Sequence, residues 1–213
     1  MSYRIVGALL MTLLVAAAPA HAAFDDDLVS LQQHWAAARY QTSGDQRKQQ
    51  LEKLASEADA FAKKYSDKAE SYLWVAVVKA SLAEAINNLS ALSLAKEAKA
   101  SLEKSIELDP KAEDSYAYGM LGAMYEKAPG WPIAFGSDKK ARAMLKKGLE
   151  QSPDGMNVNY FNAQYAFDND DYQQALGFIT KAEKATPTPP AAIWAGRQQQ
   201  IRELAEKIQK KLK

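Results

Sequence analysis

Three helical segments in the second half of the chain end in the same way, with a polar residue followed by proline. They close with Asp109-Pro110, Ser152-Pro153 and Thr186-Pro187. Because proline lacks a backbone N–H and its ring clashes with the preceding turn, each proline marks a helix end. The prolines are 43 and 34 residues apart. Recurrence at this spacing predicts a repeat of helix pairs, in which each pair buries its apolar face only against neighbouring pairs.

Helical periodicity continues along the chain outside these endings. Apolar residues recur at spacings of three and four, for example at Leu51, Leu54 and Ala58 and at Leu145 and Leu149. No segment shows a sustained alternation of apolar and polar residues, which a half-buried strand would need. We therefore expect an all-α fold of about nine helices and no sheet.

The first residues have the pattern of a secretory signal peptide. Arg4 is followed by an apolar run over 5–18, and Ala20 and Ala22 provide the small residues of a cleavage site. The run is shorter than the ~20 apolar residues that span a bilayer. We therefore predict a cleavable signal over residues 1–22, export, and no membrane insertion of the mature chain.

The chain contains no cysteine. This excludes disulfides, thiolate metal ligands, thiol nucleophiles and a lipid anchor on cysteine. An exported chain without disulfides favours the periplasm of a Gram-negative bacterium over eukaryotic secretion. After cleavage, basic and acidic side chains would be equal in number. Without net charge a protein has little long-range attraction for nucleic acid, so we expect no nucleic-acid partner.

The residue types of common catalytic and metal sites are scarce in the predicted mature chain. His34 is its single histidine, which is too few for a zinc site without cysteine. The acidic run 168–171 lacks the glycine and the distal glutamate of a calcium loop, and we interpret it as a turn and helix cap. No glycine-rich loop precedes a Lys-Ser or Lys-Thr pair. We therefore predict a non-enzymatic protein with no cofactor and no metal.

The repeat resembles the tetratricopeptide (TPR) family at specific positions. The matching positions of the middle repeat are Leu121, Gly122, Tyr125, Ala141, Leu145 and Pro153. Those of the last repeat are Asp171, Tyr172, Ala175, Ile179, Ala182 and Pro187. In the middle repeat, Gly122 is expected to allow close approach of the two helices.

The resemblance implies a right-handed TPR-like α-solenoid. Its three repeats would cover about 69–110, 111–153 and 154–187. Residues 23–68 would form N-terminal capping helices, and residues 188–213 would form a C-terminal capping helix.

The middle repeat carries an insertion, since Tyr125 and Ala141 are further apart than in the family. The added stretch, residues 127–138, contains two prolines, two glycines and two aromatic residues. We call it the Trp131 loop. This composition is typical of a folded turn rather than a flexible linker. We expect Ser137 or Asp138 to cap the helix that follows.

Residues in and around the Trp131 loop resemble a group of periplasmic repeat proteins similar to the T component of tripartite ATP-independent periplasmic (TRAP) transporters. They are Tyr125, Pro129 to Pro132, Phe135, Gly136, Lys139 to Ala141 and Asn159 to Phe161. For the T component, the resemblance implies a periplasmic adaptor that oligomerises and engages the transporter's substrate-binding protein. We therefore expect protein partners, including a transporter component, and an oligomer.

The candidate binding residues lie in the Trp131 loop and on the first helices of the repeats, which build the concave groove of TPR proteins. They are Trp131, Phe135, Tyr116, Glu126, Asn157, Asn159, Tyr160 and Gln164. Either the rings of Trp131 and Phe135 both pack under the loop, or one ring stays exposed to anchor a partner. Asn159 and Asn162 either line a polar pocket near the loop or both face water.

Three functions are consistent with this sequence. The leading hypothesis is a periplasmic adaptor or scaffold that binds protein through its concave groove and the Trp131 loop. The first alternative is a small-molecule carrier or transporter-associated ligand-binding protein, with an apolar pocket lined by Trp131, Phe135 and Tyr160. The second alternative is a structural role in envelope assembly.

Overall fold

The structure of the protein, a computed structural model, describes residues 18–86, 90–186 and 191–213. Within these ranges it has nine α-helices and no β-strand. The helices are α1 Ala18–Gln41, α2 Gly44–Lys64, α3 Ala69–Ala85, α4 Ser90–Leu108, α5 Ala112–Lys127, α6 Asp138–Gln151, α7 Met156–Asp168, α8 Tyr172–Lys184 and α9 Ala191–Leu212. The predicted all-α fold class is confirmed.

The predicted signal peptide lies mostly outside the described ranges, which begin at residue 18. Helix α1 starts at Ala18 and continues through the predicted cleavage site at Ala22. No helix in the described part of the chain combines the length and apolar character needed to cross a membrane. Cleavage and export therefore stay predictions.

Consecutive helices pack as pairs inside the three predicted repeats. Helix α3 packs on α4, α5 on α6, and α7 on α8. Helix α4 ends at Leu108, shortly before Pro110, and α6 ends at Gln151, shortly before Pro153. Pro187, the third predicted helix terminator, lies outside the described residues.

Glycine sets the distance between the helices of the middle pair. A Cβ atom placed on Gly122 of α5 would lie 2.6 Å from Cγ of Leu145 on α6. Real side chains do not approach so closely, so any larger residue at this position would push α6 away. The expected role of Gly122 in close helix approach is confirmed.

The odd-numbered helices form a closed ring. Helix α1 contacts α3, α3 contacts α5, α5 contacts α7, α7 contacts α9, and α9 contacts α1. Each even-numbered helix packs only against its two neighbours in sequence, as far as the described residues go. The contact between α9 and α1 closes what would otherwise be an open row of helices.

Large apolar side chains hold this ring together. Those with almost no exposed surface include Leu51, Leu73, Trp74, Val77, Val78, Leu102, Leu121, Val158, Ile179, Ile201 and Ile208. Full burial of one such side chain stabilises the fold by about 1.5–3 kcal/mol. They come from α2, α3, α4, α5, α7, α8 and α9. The buried apolar residues form two clusters, one within α1 to α6 and one within α7 to α9.

The Trp131 loop between α5 and α6 is folded on itself. The backbone N–H of Gly136 donates a hydrogen bond to the carbonyl oxygen of Pro129 over 2.8 Å. A Cβ atom on Gly136 would lie 2.0 Å from the carbonyl oxygen of Ala128, so only glycine fits there. Ser137 caps α6 by accepting a hydrogen bond from the backbone N–H of Lys140. The predicted folded turn and the Ser137 cap are confirmed.

The acidic run between α7 and α8 forms a turn. Asp170 has a φ angle of 60°, and Asp171 is the N-cap of α8. The Asp171 carboxylate accepts a hydrogen bond from the backbone N–H of Gln174 over 3.1 Å. The predicted turn and cap are confirmed.

Candidate functional site

The five odd-numbered helices line a cavity of about 410 Å³ that is open to solvent on one side, which we call the central chamber. All of its lining residues lie on those helices. The aromatic ones are Trp35, Tyr40, Tyr116, Tyr160 and Phe161. The volume falls within the roughly 300–1,000 Å³ that is typical of small-molecule sites.

Arg197 of α9 is a buried cation in the wall of the chamber, with 7% of its surface exposed. Its Nη2 atom donates a hydrogen bond to the phenolic oxygen of Tyr116 over 2.9 Å. The guanidinium carbon lies 4.5 Å from the ring centre of Tyr160 and 5.3 Å from that of Phe161. Arginine stays protonated throughout the physiological pH range, so this charge is permanent.

The other charged side chains of the chamber wall have partners. Arg39 forms an ion pair with Glu84 over 2.6 Å. Lys127 forms one with Asp168. No ion pair of the described residues includes Arg197, so its charge is stabilised by aromatic ring faces and one phenol rather than by a carboxylate.

The phenols of Tyr116 and Tyr40 are neutral. Burial raises the pKa of Tyr116 above its usual range, although the Arg197 charge opposes that rise. Burial likewise raises the pKa of Tyr40, again against Arg197. Because the Tyr116 oxygen accepts the hydrogen bond from Arg197, its own proton can be donated elsewhere.

Glycine also positions Arg197. A Cβ atom on Gly196 would lie 2.2 Å from Cε2 of Tyr40 on α1. The missing side chain therefore lets α9 cross α1 closely, with Arg197 beside that crossing. The sequence pattern does carry a signal for this residue. Arg197 lies four residues after Ile193 and four before Ile201, so it is a charged residue on the apolar stripe of α9.

Three of the predicted site residues, Tyr116, Tyr160 and Gln164, line the chamber together. Tyr116 is buried, and its ring stacks on Phe161 with centres 5.9 Å apart. The Gln164 amide donates a hydrogen bond to Asp168 over 3.0 Å. Helix α9 therefore covers part of the surface that we expected to be an open concave groove.

Glu126 and Asn157 lie apart from the chamber. Glu126 is next to Lys127, and burial raises the pKa of its carboxyl. Asn157 lines a second cavity of about 520 Å³, together with Glu113. The structure does not bring these two residues together with the chamber tyrosines.

Asn159 and Asn162 are both buried, so the expectation that they face water is wrong. The Asn159 amide donates hydrogen bonds to the carbonyl oxygens of Pro153 and Gly155 over 3.0 and 2.9 Å. The Asn162 amide donates to the carbonyl oxygen of Val158 over 2.9 Å. Asn162 also borders a cavity of about 590 Å³ between α6, α7 and α8.

Trp131 and Phe135 behave differently. Trp131 is 89% exposed, and Ile133 on the same loop is 67% exposed. Phe135 is half-buried, and its ring packs edge-to-face with that of Tyr125, with ring centres 5.9 Å apart and an interplanar angle of 86°. The ring of Trp131 is therefore exposed and that of Phe135 is partly buried, which agrees with the second of the two alternatives predicted for this loop. The central chamber includes Tyr160 but neither Trp131 nor Phe135, so it does not bring together the three residues of the predicted pocket.

A second ionisable group, partly buried, lies at the start of α5. The Glu113 carboxylate accepts hydrogen bonds from the indole of Trp74 over 2.6 Å and from the amide of Gln32 over 3.0 Å. Burial raises the pKa of Glu113 to about 7, although these hydrogen bonds oppose the rise. Residues 113–115 have φ angles of 44°, 56° and 61°, in the left-handed region. Sequence reasoning missed this group, because nothing in its local pattern distinguishes it from Asp114.

No group of three or more acidic or histidine side chains is placed to hold a metal ion in the part of the chain that the structure describes. No protein-family model matches the chain, and a comparison with curated proteins finds no match either. The resemblance to TPR proteins and to the TRAP T component therefore rests on the sequence positions given above.

Proposed function

We propose that the protein is a non-enzymatic periplasmic adaptor, built as a TPR-like solenoid, that binds a partner protein through the Trp131 loop. The observation that carries the proposal is the exposure of both Trp131 and Ile133, two positions apart on one loop. Tryptophan is among the residues that contribute most to protein interfaces.

Exposed apolar side chains are concentrated at this loop. Leu108, at the end of α4, is the third large hydrophobic residue exposed in the described part of the chain, and it is only 37% exposed. Hydration of large apolar surface is unfavourable, so such a concentration marks an interaction site.

The Trp131 loop is also pre-ordered for binding. The Gly136 hydrogen bond and the contact of Phe135 with Tyr125 fix the loop from inside. A partner that takes up Trp131 therefore does not have to order the loop, which lowers the entropic cost of association.

The loop is a better candidate for the partner surface than the groove. Tyr116, a predicted groove residue, is only 5% exposed, and Arg197 of α9 lies against it. The sequence resemblance to TRAP-associated proteins supports a transporter component as the partner. The predicted signal peptide supports a periplasmic location.

The test is capture of partners from a periplasmic extract by the wild type, Trp131→Ala and Leu108→Ala. Leu108→Ala is the matched control, because it truncates an exposed apolar residue away from the loop. We expect one protein to be retained by the wild type and by Leu108→Ala and lost by Trp131→Ala. That protein is then identified by mass spectrometry and titrated, as a purified protein, against the same variants.

Circular dichroism shows whether each variant is folded, and light scattering shows whether Trp131 instead joins two copies of the chain. Equal retention by all three folded proteins would contradict the adaptor proposal. Loss of a dimer in Trp131→Ala, without loss of any other protein, would assign the loop to self-association.

A second candidate function is that of a small-molecule carrier. The observation that favours it is the central chamber of about 410 Å³ with the buried Arg197 in its wall. The site of the ligand would be this chamber, not the pocket under the Trp131 loop that the sequence suggested.

A further inference from the structure

The central chamber contains a positive charge without a counterion. Arg197 is 93% buried, and its only hydrogen bond within the described residues goes to Tyr116. A guanidinium can donate several hydrogen bonds in a planar fork, so most of its donors have no acceptor. A buried charge without a charged partner is unfavourable unless something compensates it.

A structural role for Arg197 explains this arrangement poorly. To attach α9 to α5, a neutral donor such as a glutamine would suffice, without the cost of desolvating a charge. The aromatic faces of Tyr160 and Phe161 stabilise a cation, but they leave the edge of the guanidinium unpaired. That edge is the part of an arginine that binds a carboxylate through two parallel hydrogen bonds.

A second polar group on α9 also lacks a partner. Gln200 lines the chamber, and its buried amide oxygen forms no hydrogen bond within the described chain. It lies three residues after Arg197, about one helical turn further along the same face. Two neighbouring groups with unmet hydrogen bonds thus face the same cavity.

The rest of the wall indicates the remainder of the ligand. Beside the rings of Trp35, Tyr116 and Phe161, the wall contains aliphatic side chains such as Val77 and Met120. These groups favour an apolar body. The charges of Arg39 and Lys127 are already neutralised by Glu84 and Asp168, so only one positive charge remains for a ligand. A phosphate ester, with nearly two negative charges, would be only half compensated.

We propose that the central chamber binds a small organic monocarboxylate, with the carboxylate on Arg197 and the apolar body against the aromatic rings. Tyr116 donates its remaining proton to the carboxylate or to a neighbouring ligand oxygen. Gln200 binds a polar substituent close to the carboxylate. This assignment rests on the second candidate function and names the ligand class of that site.

The test compares acids with neutral molecules of the same shape. Octanoate and 3-phenylpropionate are titrated into the full chain by calorimetry near neutral pH, alongside octan-1-ol and 3-phenylpropanamide. We expect both acids to bind at millimolar concentration or below, and the neutral analogues to bind about tenfold more weakly or worse.

Two variants locate the binding. Arg197→Gln removes the charge, and Ala123→Phe fills the chamber while it keeps Arg197. Arg202→Gln is the matched control, because Arg202 is an exposed arginine on the same helix. We expect acid binding to be lost in the first two variants and unchanged in Arg202→Gln. If Arg197→Gln does not fold, Ala123→Phe and the neutral analogues decide the result.

Each other outcome overturns the assignment. If the folded wild type binds none of the acids, the chamber is not a carboxylate site. If acids and neutral analogues bind equally well, the chamber is a carrier site of a different specificity, and the carrier function stands while the ligand class is wrong. Acid binding that survives in folded Ala123→Phe places the ligand elsewhere. None of these results bears on capture of a partner by the Trp131 loop.

Discussion

Nη2 of Arg197 lies 2.9 Å from the phenolic oxygen of Tyr116, a hydrogen bond between two buried side chains 81 positions apart in the chain. It joins α9 to α5 across the central chamber. Because the donor is charged, the bond is stronger than one between neutral groups. The position of α9 in the ring therefore depends on a polar contact as well as on apolar packing.

Tyr116→Phe should destabilise the protein by about 1–3 kcal/mol, because it leaves the buried guanidinium of Arg197 without its hydrogen-bond acceptor. Tyr160→Phe is the matched control, since the Tyr160 ring contacts the guanidinium but its hydroxyl forms no hydrogen bond within the described residues. The control should change the free energy of unfolding by less than about 0.5 kcal/mol. Urea unfolding measures both, and equal effects would show that the ring contacts alone hold Arg197.

Gly122→Ala should destabilise the protein by about 1–3 kcal/mol, because the new methyl group would overlap the Leu145 side chain on α6. Gly177 on α8 offers the comparison, since a Cβ atom there would have no neighbour within 4 Å. Gly177→Ala should stabilise the protein by about 0.4–1 kcal/mol through the lower entropy of the unfolded chain. Thermal melting of the two variants should shift in opposite directions; a shift of the same sign would refute the packing argument.

Trp131→Ala should leave the free energy of unfolding within about 0.5 kcal/mol of the wild type, because the indole is almost fully exposed. Phe135→Ala should lower it by about 1–2 kcal/mol, because the ring is half-buried against Tyr125. Urea unfolding of the pair separates a binding residue from a packing residue within one loop. A larger loss for Trp131→Ala than for Phe135→Ala would reverse these roles.

Glu113 should make the protein less stable as the pH rises. Its pKa is about 7 in the folded protein and 4.5 in the unfolded chain. Between these two pH values the folded state therefore binds more protons than the unfolded state. The contribution to stability is fully present below pH 4.5 and is lost as the pH rises through about 7, with a total change on the order of 3 kcal/mol.

Glu113→Gln removes this titration and keeps an acceptor for the Trp74 indole. The stability of the wild type relative to this variant should therefore fall between pH 4.5 and about pH 7. The negative charges of Glu70 and Asp114 also raise the pKa of Glu113, so they contribute to the same loss of stability with rising pH. Urea unfolding across this pH range measures the difference, and parallel stability profiles would show that Glu113 has an ordinary pKa.

The helices of the fold could be predicted because their signals are local. Pro110 and Pro153 cannot continue a helix, and helices end just before them. Ser137 and Asp171 are short polar side chains that accept a hydrogen bond from the following turn, and both act as caps. Each of these outcomes depends on a few neighbouring residues, which the sequence shows directly.

The candidate site could be predicted only in part, because it depends on contacts between distant segments. The helical repeat placed Tyr116 and Tyr160 on one surface, and both line the chamber. Arg197 reaches that surface only because α9 packs against α7 and α1 and so closes the ring, a position that the periodicity of α9 does not specify. Likewise, composition predicted a folded Trp131 loop, but which of its two aromatic rings faces inward depends on the position of Tyr125.

In an open row of helix pairs, each pair touches only its neighbours, and a terminal pair can detach without disturbing the rest. Here α9 contacts α1, and Arg197 is bonded to the middle of the chain. Loss of α9 would expose the apolar cluster that it shares with α7 and α8 and would leave α1 with one fewer partner. The chain should therefore unfold in a single cooperative transition, and a newly synthesised chain can complete its fold only after its last helix has emerged.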